Sequence, residues 1–301
     1  MNGFIEKYQE GIDDIVSSDA SIEKIAGGFR FLEGPAWHPV EHHLTFSDIM
    51  GNALYRYRED MELSGQPIEL IRENSYLANG NTYDKQGRLL TCEHGTSRVT
   101  RLENDGETTV LASHYGGKAL NSPNDIIVSK NGTIYFTDPD PGRCERVGIP
   151  RDPELDFKGV YAIRPDGELS LLADDFSKPN GLCLSLDETQ LYVNDTDRQH
   201  IRVFDLTSGC RLENPRLWAD LIGDEPGVAD GMKFDREGNL YCSGPGGIQI
   251  FDDQARIIGR IITPEVAANF AWGGANLTTL YMTATTGLYR MELKVPGLPL
   301  F

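Results

Sequence analysis

Six times along the chain, an apolar run gives way to a turn rich in Gly, Asp or Asn. A second apolar run comes next, usually ending on a small or acidic residue. The copies are AWHPVEHHLTFSD (36–48), TYDKQGRLLTCE (82–93), IVSKNGTIYFTD (127–138), CLSLDETQLYVND (183–195), KFDREGNLYCSG (233–244) and, degenerately, AWGGANLTTLYMTA (271–284). Each reads as a β-hairpin, with strand-forming residues flanking residues that tolerate turn geometry. A further strand pair generally comes after it, as in SRVTRLENDGETTVLA and GVYAIRPDGELSLLA, but after the sixth hairpin only GLYRMEL remains. Four strands per roughly 40–50 residues, repeated radially, predict an all-β fold, a six-bladed β-propeller with four-stranded blades. The sixth unit is one strand short, and SIEKIAGGF (21–29) is expected to complete it and close the ring. Residues 1–301 thus form a single propeller domain. Apolar residues at helical spacing in FIEKYQEGIDDIV predict a short helical extension over 1–20. The polar, Pro-rich stretch 139–158 is expected to be a loop over one face.

The residues just ahead of each hairpin share a further pattern. Glu33, Asn79, Asn124, Asn180 and Asp230 each stand four positions before an apolar residue of the first strand, and Asn269 stands three before Trp272. Equivalent positions on the innermost strands form a ring at one end of the axis, so one Glu, four Asn and one Asp should surround a common centre. Such side chains offer hard oxygen donors suited to Ca²⁺, Mg²⁺ or Mn²⁺. Because the second strand runs antiparallel, its end lies at the same face. Asp48, Glu93, Asp138 and Asp195 are therefore expected there, with His94 and Asn194 beside them. Turn or cap roles are the alternative for each acid taken singly.

Composition narrows the partners. A formal net charge of -18 argues against nucleic acid and anionic membranes. No secretory signal and no apolar span of membrane length is visible, so a cytoplasmic location is expected. Five scattered cysteines form no zinc or disulfide pattern; Cys92, Cys183 and Cys242 read as core thiols. His42 and His43 fall in a hairpin turn and are expected to be exposed. No G-x-S-x-G elbow, Walker loop or H-E-x-x-H occurs.

From about Ile22 to Leu293, the chain resembles the SMP-30/gluconolactonase family, particularly its microbial gluconolactonase branch. The resemblance is carried by FLEGPAWHP, LNSPNDIIVSKNGTIYFTDP, DDFSKPNGLCLSLDETQLYVNDT and DGMKFDREGNLYCSGPGGI. It implies a six-bladed propeller with a divalent cation held by Glu33, Asn124, Asn180 and Asp230. Ca²⁺ is the leading ion, with Mg²⁺, Mn²⁺ and Zn²⁺ also compatible. Asn121 is implied as a substrate contact. The family's D-P-P-Y-G-like segment reads Asp138-Pro139-Asp140-Pro141-Gly142, without the aromatic residue. The expected activity is opening of a small-molecule lactone, by default an aldonolactone such as gluconolactone. Asp230 would be the catalytic base, and Asn121, Glu93, His94 and Asp138 would bind substrate hydroxyls. Open alternatives are another lactone or a phosphotriester as substrate, or a non-enzymatic calcium- or ligand-binding propeller.

Overall fold

A computed structural model describes residues 4–207 and 210–301. Six antiparallel sheets stand around one axis. Blade one comprises Leu32–His38, His43–Asp48, Ala53–Tyr57 and Ile68–Glu73, from the axis outward. Blades two to five begin with Ala78–Tyr83, Ile126–Val128, Pro179–Leu184 and Met232–Phe234. In blade six, Ala267–Gly273, Thr279–Ala284 and Gly287–Glu292 are completed by the N-terminal strand Glu23–Gly27. That strand pairs antiparallel with Gly287–Glu292, placing Glu23 opposite Arg290 and Gly27 opposite Gly287. The ring closes as the repeat count predicts.

The core lies between the blades, in apolar clusters that bridge neighbouring sheets. One of them joins Leu32, Trp37 and Phe46 of blade one to Tyr281 and Leu288 of blade six. A flat sheet buries only the faces it presents to its neighbours, so every seam depends on both blades being present. Cys92, Cys183 and Cys242 are buried in these seams, as expected.

Two expectations are corrected. The helix expected across FIEKYQEGIDDIV is a single turn, Ile12–Ile15, whose two isoleucines pack into the seam between blades five and six. Ile5–Lys7 instead adds a fifth strand to blade five, pairing with Ile257–Ile261. Gly11, at φ 49°, separates the two pieces, and the open sheet edge outcompetes a short isolated helix. His42 is exposed, but His43 is buried. It begins a strand whose side chains face the seam. Its Nε2 lies 3.0 Å from the Tyr83 hydroxyl, and burial pulls its imidazole down to about 3.

Deletion experiments separate the two N-terminal strands. Removing residues 1–10 strips one outer strand and the Glu6–Arg260 pair, and should lower Tm by only a few degrees. Removing 1–30 opens the ring and should lower Tm by more than about 15 °C or cause aggregation. Unchanged melting of the longer deletion, monitored by circular dichroism, would refute closure by this strand.

Candidate metal and active site

The ring residues sit where the innermost strands start, and in most blades a glycine directly after each one permits the close approach. Gly34 has φ 54°, and a Cβ there would lie 2.0 Å from the Asn79 carbonyl oxygen of the next blade. At Gly181 a Cβ would lie 2.1 Å from the Asp230 carbonyl oxygen. The glycine after the ring residue thus lets consecutive blades meet backbone to backbone.

Glu33 and Asp230 converge. The charge of Glu33 acts on the Asp230 carboxyl, and the Asn180 amide favours the Asp230 carboxylate. Both carboxyls are pushed up, first by burial. The negative charge of Asp125 adds to this at both, and that of Glu33 adds to it at Asp230. Glu33 is 3% exposed, whereas Asp230 is partly open.

The hydrogen-bond network orients the amides. The Thr196 hydroxyl donates to Ala229 O at 2.6 Å and accepts from Asn180 Nδ2 at 3.1 Å. Asn180 Oδ1 is left buried with no donor. Asn269 is turned the opposite way. Its Oδ1 accepts from Lys233 Nζ at 2.8 Å and Phe270 N at 2.9 Å, while its Nδ2 donates to Glu33 Oε2 at 3.3 Å. Asn269 therefore supports Glu33 as a donor. Asn124 occupies the equivalent position in blade three, with its carbonyl accepting from Gly80 N at 2.8 Å. Among the described residues, no three His, Cys, Asp or Glu side chains form a metal-binding group. A cation here would rest on the Glu33–Asp230 pair plus amide oxygens. The donor set suits a hard divalent ion, and the unpartnered Asn180 Oδ1 is the atom that fits it best.

Sequence reasoning missed Asp125 and Lys233. Asp125 is 6% exposed, and burial raises its carboxyl while Lys233 opposes the shift. The available signal was a broken pattern: the ring residue precedes glycine in four blades, but precedes Asp125 and Phe270 in the others. Asp125 and Lys233 border a cavity of about 250 Å³ that runs below the ring, walled by Trp37, Leu184, Phe234 and Trp272.

Of the expected substrate residues, His94 and Asn121 contact the loop 139–158 and Asp138 leads into it. Glu93 is fully buried, accepting from Thr96, Arg98 and Thr100. Asn121 ties the loop's two ends through Nδ2, to Asp138 O at 3.2 Å and Phe157 O at 2.9 Å. Asp138 accepts from Asn121 N, much as Asp48 accepts from Phe31 N and Asp195 from Lys178 N. These acids clamp the chain entering each inner strand. Of these three, Asp138 keeps one oxygen, Oδ1, buried without a partner, and burial pushes that carboxyl up to about 7. His94 contacts Asn79 and Val147 O, and burial pulls its imidazole down to about 4. Arg151 pins the loop to His94 O and Ser97 Oγ, each at 2.6 Å.

Comparison with known proteins agrees with this architecture. The model of the SMP-30/gluconolactonase/LRE-like region matches residues 31–286. The chain belongs to that family. It is 31% identical to the gluconolactonase of Zymomonas mobilis subsp. mobilis, over 98% of this chain and 87% of that protein. The solved structure of a Xanthomonas campestris gluconolactonase is 34% identical, with a TM-score of 0.88, covering 96% of this chain and 95% of that one. A pentonolactonase of Haloferax volcanii is 27% identical over 86% of this chain and 82% of that protein. No helix among the described residues is long and apolar enough to cross a membrane.

In this family member, Asp138 gives a pH-dependent test. A carboxyl raised on folding holds its proton in the native state, so stability falls as pH rises from about 4 through about 7. Asp138→Asn removes that loss, worth at most about 4 kcal/mol. The Tm difference between variant and wild type should shift in the variant's favour between pH 5 and pH 8. A difference that stays constant across this range would show the carboxyl to be ordinary.

Proposed function

We propose that this chain is a metal-dependent lactone hydrolase acting on an aldonolactone such as gluconolactone. The observation that carries the reading is the meeting of Glu33 and Asp230 beside the donor-free Asn180 oxygen, at the axial end of a gluconolactonase-family propeller. The lactonases among its relatives support the substrate class. Glu33, Asn124, Asn180 and Asp230 would hold the ion, with Ca²⁺ the best match to carboxylate and amide oxygens. A bound divalent cation supplies Lewis acidity toward the ester carbonyl and its developing oxyanion.

The chain's own residues do the rest. Asp230 is the more open carboxylate of the pair, and its surroundings raise its basicity, which suits it to take a proton from attacking water. The hydroxide so formed adds to the carbonyl carbon, and the ring C–O bond breaks. The proton held on Asp230 passes to the leaving alkoxide, yielding the hydroxy acid. Glu33 is fixed by Gly34 N at 2.7 Å and by Asn269, which suits holding rather than proton transfer.

Asp230→Asn tests the division of roles. It keeps an oxygen donor but loses charge and basicity. Calorimetry should show weakened Ca²⁺ binding that saturates at higher concentration, while gluconolactone hydrolysis stays about 10²–10⁴-fold down at saturation. Full recovery of rate would make Asp230 a ligand only. Wild-type hydrolysis indifferent to chelation would remove the metal from the reading.

A further inference from the structure

Four ring positions are assigned to the ion, and blade six's Asn269 is committed to Glu33. Blade two's Asn79 is left, and its surroundings determine which end of its amide is free. His94 Nδ1 lies 3.0 Å from Val147 O. A backbone carbonyl only accepts, so Nδ1 carries the ring proton. The imidazole is 1% exposed, and Arg151 packs against its residue, so a second ring proton is disfavoured. Nε2 is then a bare acceptor, and the atom facing it at 3.1 Å is Asn79 Nδ2, which donates. Asn79 Oδ1 is the remaining end, and no described residue donates to it. The backbone cannot swing away, because Asn79 O accepts from Ser47 Oγ at 2.7 Å and Asn81 Nδ2 at 3.0 Å. Nor can the ring shift: a Cβ at Gly142 would lie 2.6 Å from His94 Cγ, so the loop is packed directly on it.

We propose that Asn79 Oδ1 is an acceptor for a hydroxyl of the substrate, held in that orientation by His94, whose tautomer the Val147 carbonyl of the 139–158 loop selects. The proposal rests on the lactonase reading and adds to it a basis for preferring hydroxylated rings. Every hydroxyl of an aldonolactone carries a donor that needs an acceptor once water is excluded, and an unsubstituted lactone carries none. Asn79 acts by contact, and His94 is a positioning residue. The loop thereby reaches the site through one carbonyl, although His94 itself is buried.

Measurements on the full-length protein test this. Nitrogen-15 NMR of the imidazoles should show His94 protonated at Nδ1 and bare at Nε2; the reverse tautomer would overturn the relay. Asn79→Ala should lower kcat/KM for gluconolactone about tenfold more than for δ-valerolactone. His94→Phe should act in the same direction, while His94→Gln, which keeps an acceptor, should recover part of the preference. Equal losses on both lactones would overturn the proposal. So would an Asn79→Ala variant whose Ca²⁺ affinity by calorimetry falls as far as its activity, since Asn79 would then be a ligand. A wild-type protein that hydrolyses neither lactone would sink the lactonase reading alone. The relay would then be judged by the tautomer and by gluconate titration, where binding weakened about tenfold in Asn79→Ala supports it and unaltered or absent binding overturns it.

Discussion

Everything at the centre of this molecule depends on how closely six inner strands approach one axis. Blades packed face to face around a ring leave an axial space whose width is set by backbone-to-backbone contact, and a Cβ at Gly34 or Gly181 would collide with the neighbouring carbonyl. With those side chains absent, the residue just before each glycine is carried to the mouth of the axis. The same approach that seals the seams therefore concentrates polar groups, and packing and chemistry are not separable here. A substitution that widened one seam would move a ring residue as well.

Concentrating carboxylates in a narrow, partly dry space has an electrostatic consequence. Burial raises the proton affinity of Glu33, Asp125 and Asp230; the charge of Asp125 adds to this at Glu33 and Asp230, that of Glu33 adds to it at Asp230, and Lys233 is the cation that opposes the shift at Glu33 and Asp125. Acids so placed either keep a proton or take a cation. Repetition of position does not mean repetition of role, however. Asn180 is pinned by Thr196 so that its oxygen is free, and Asn269 is pinned by Lys233 so that its amide nitrogen is the end offered to Glu33. Six equivalent backbone positions thus yield an asymmetric site, as recognition of an asymmetric substrate requires.

Outside the ring, the acids at the ends of the second strands show how one motif serves two ends. Asp48, Asp138 and Asp195 each accept from the backbone leading into an inner strand, which sets the height at which the ring residue stands. Asn121 extends this in blade three by tying together both ends of the 139–158 loop, so the loop that covers this face is anchored by residues that also frame it.

The chain alone determined the fold, the ring and the family. Turn residues between strand-forming runs recur at propeller spacing, the missing sixth-blade strand was supplied by 21–29, and equivalent ring positions come from the repeat without any knowledge of contacts. Local pattern misled where tertiary context overrode it. The apolar spacing of FIEKYQEGIDDIV suits a helix, but an open edge on blade five captured Ile5–Lys7; His43 looks like a turn residue, yet strand alternation turns it into a seam. The orientation of each amide, the tautomer of His94, the convergence of Asp125 and Lys233 beneath the ring, and the use of Asn121 and Asp138 as loop anchors were decided only in three dimensions. Their partners lie on other strands, blades or loops. A residue type states what a side chain is able to donate or accept, but which of its atoms stays free depends on neighbours that only folding brings within about 3 Å.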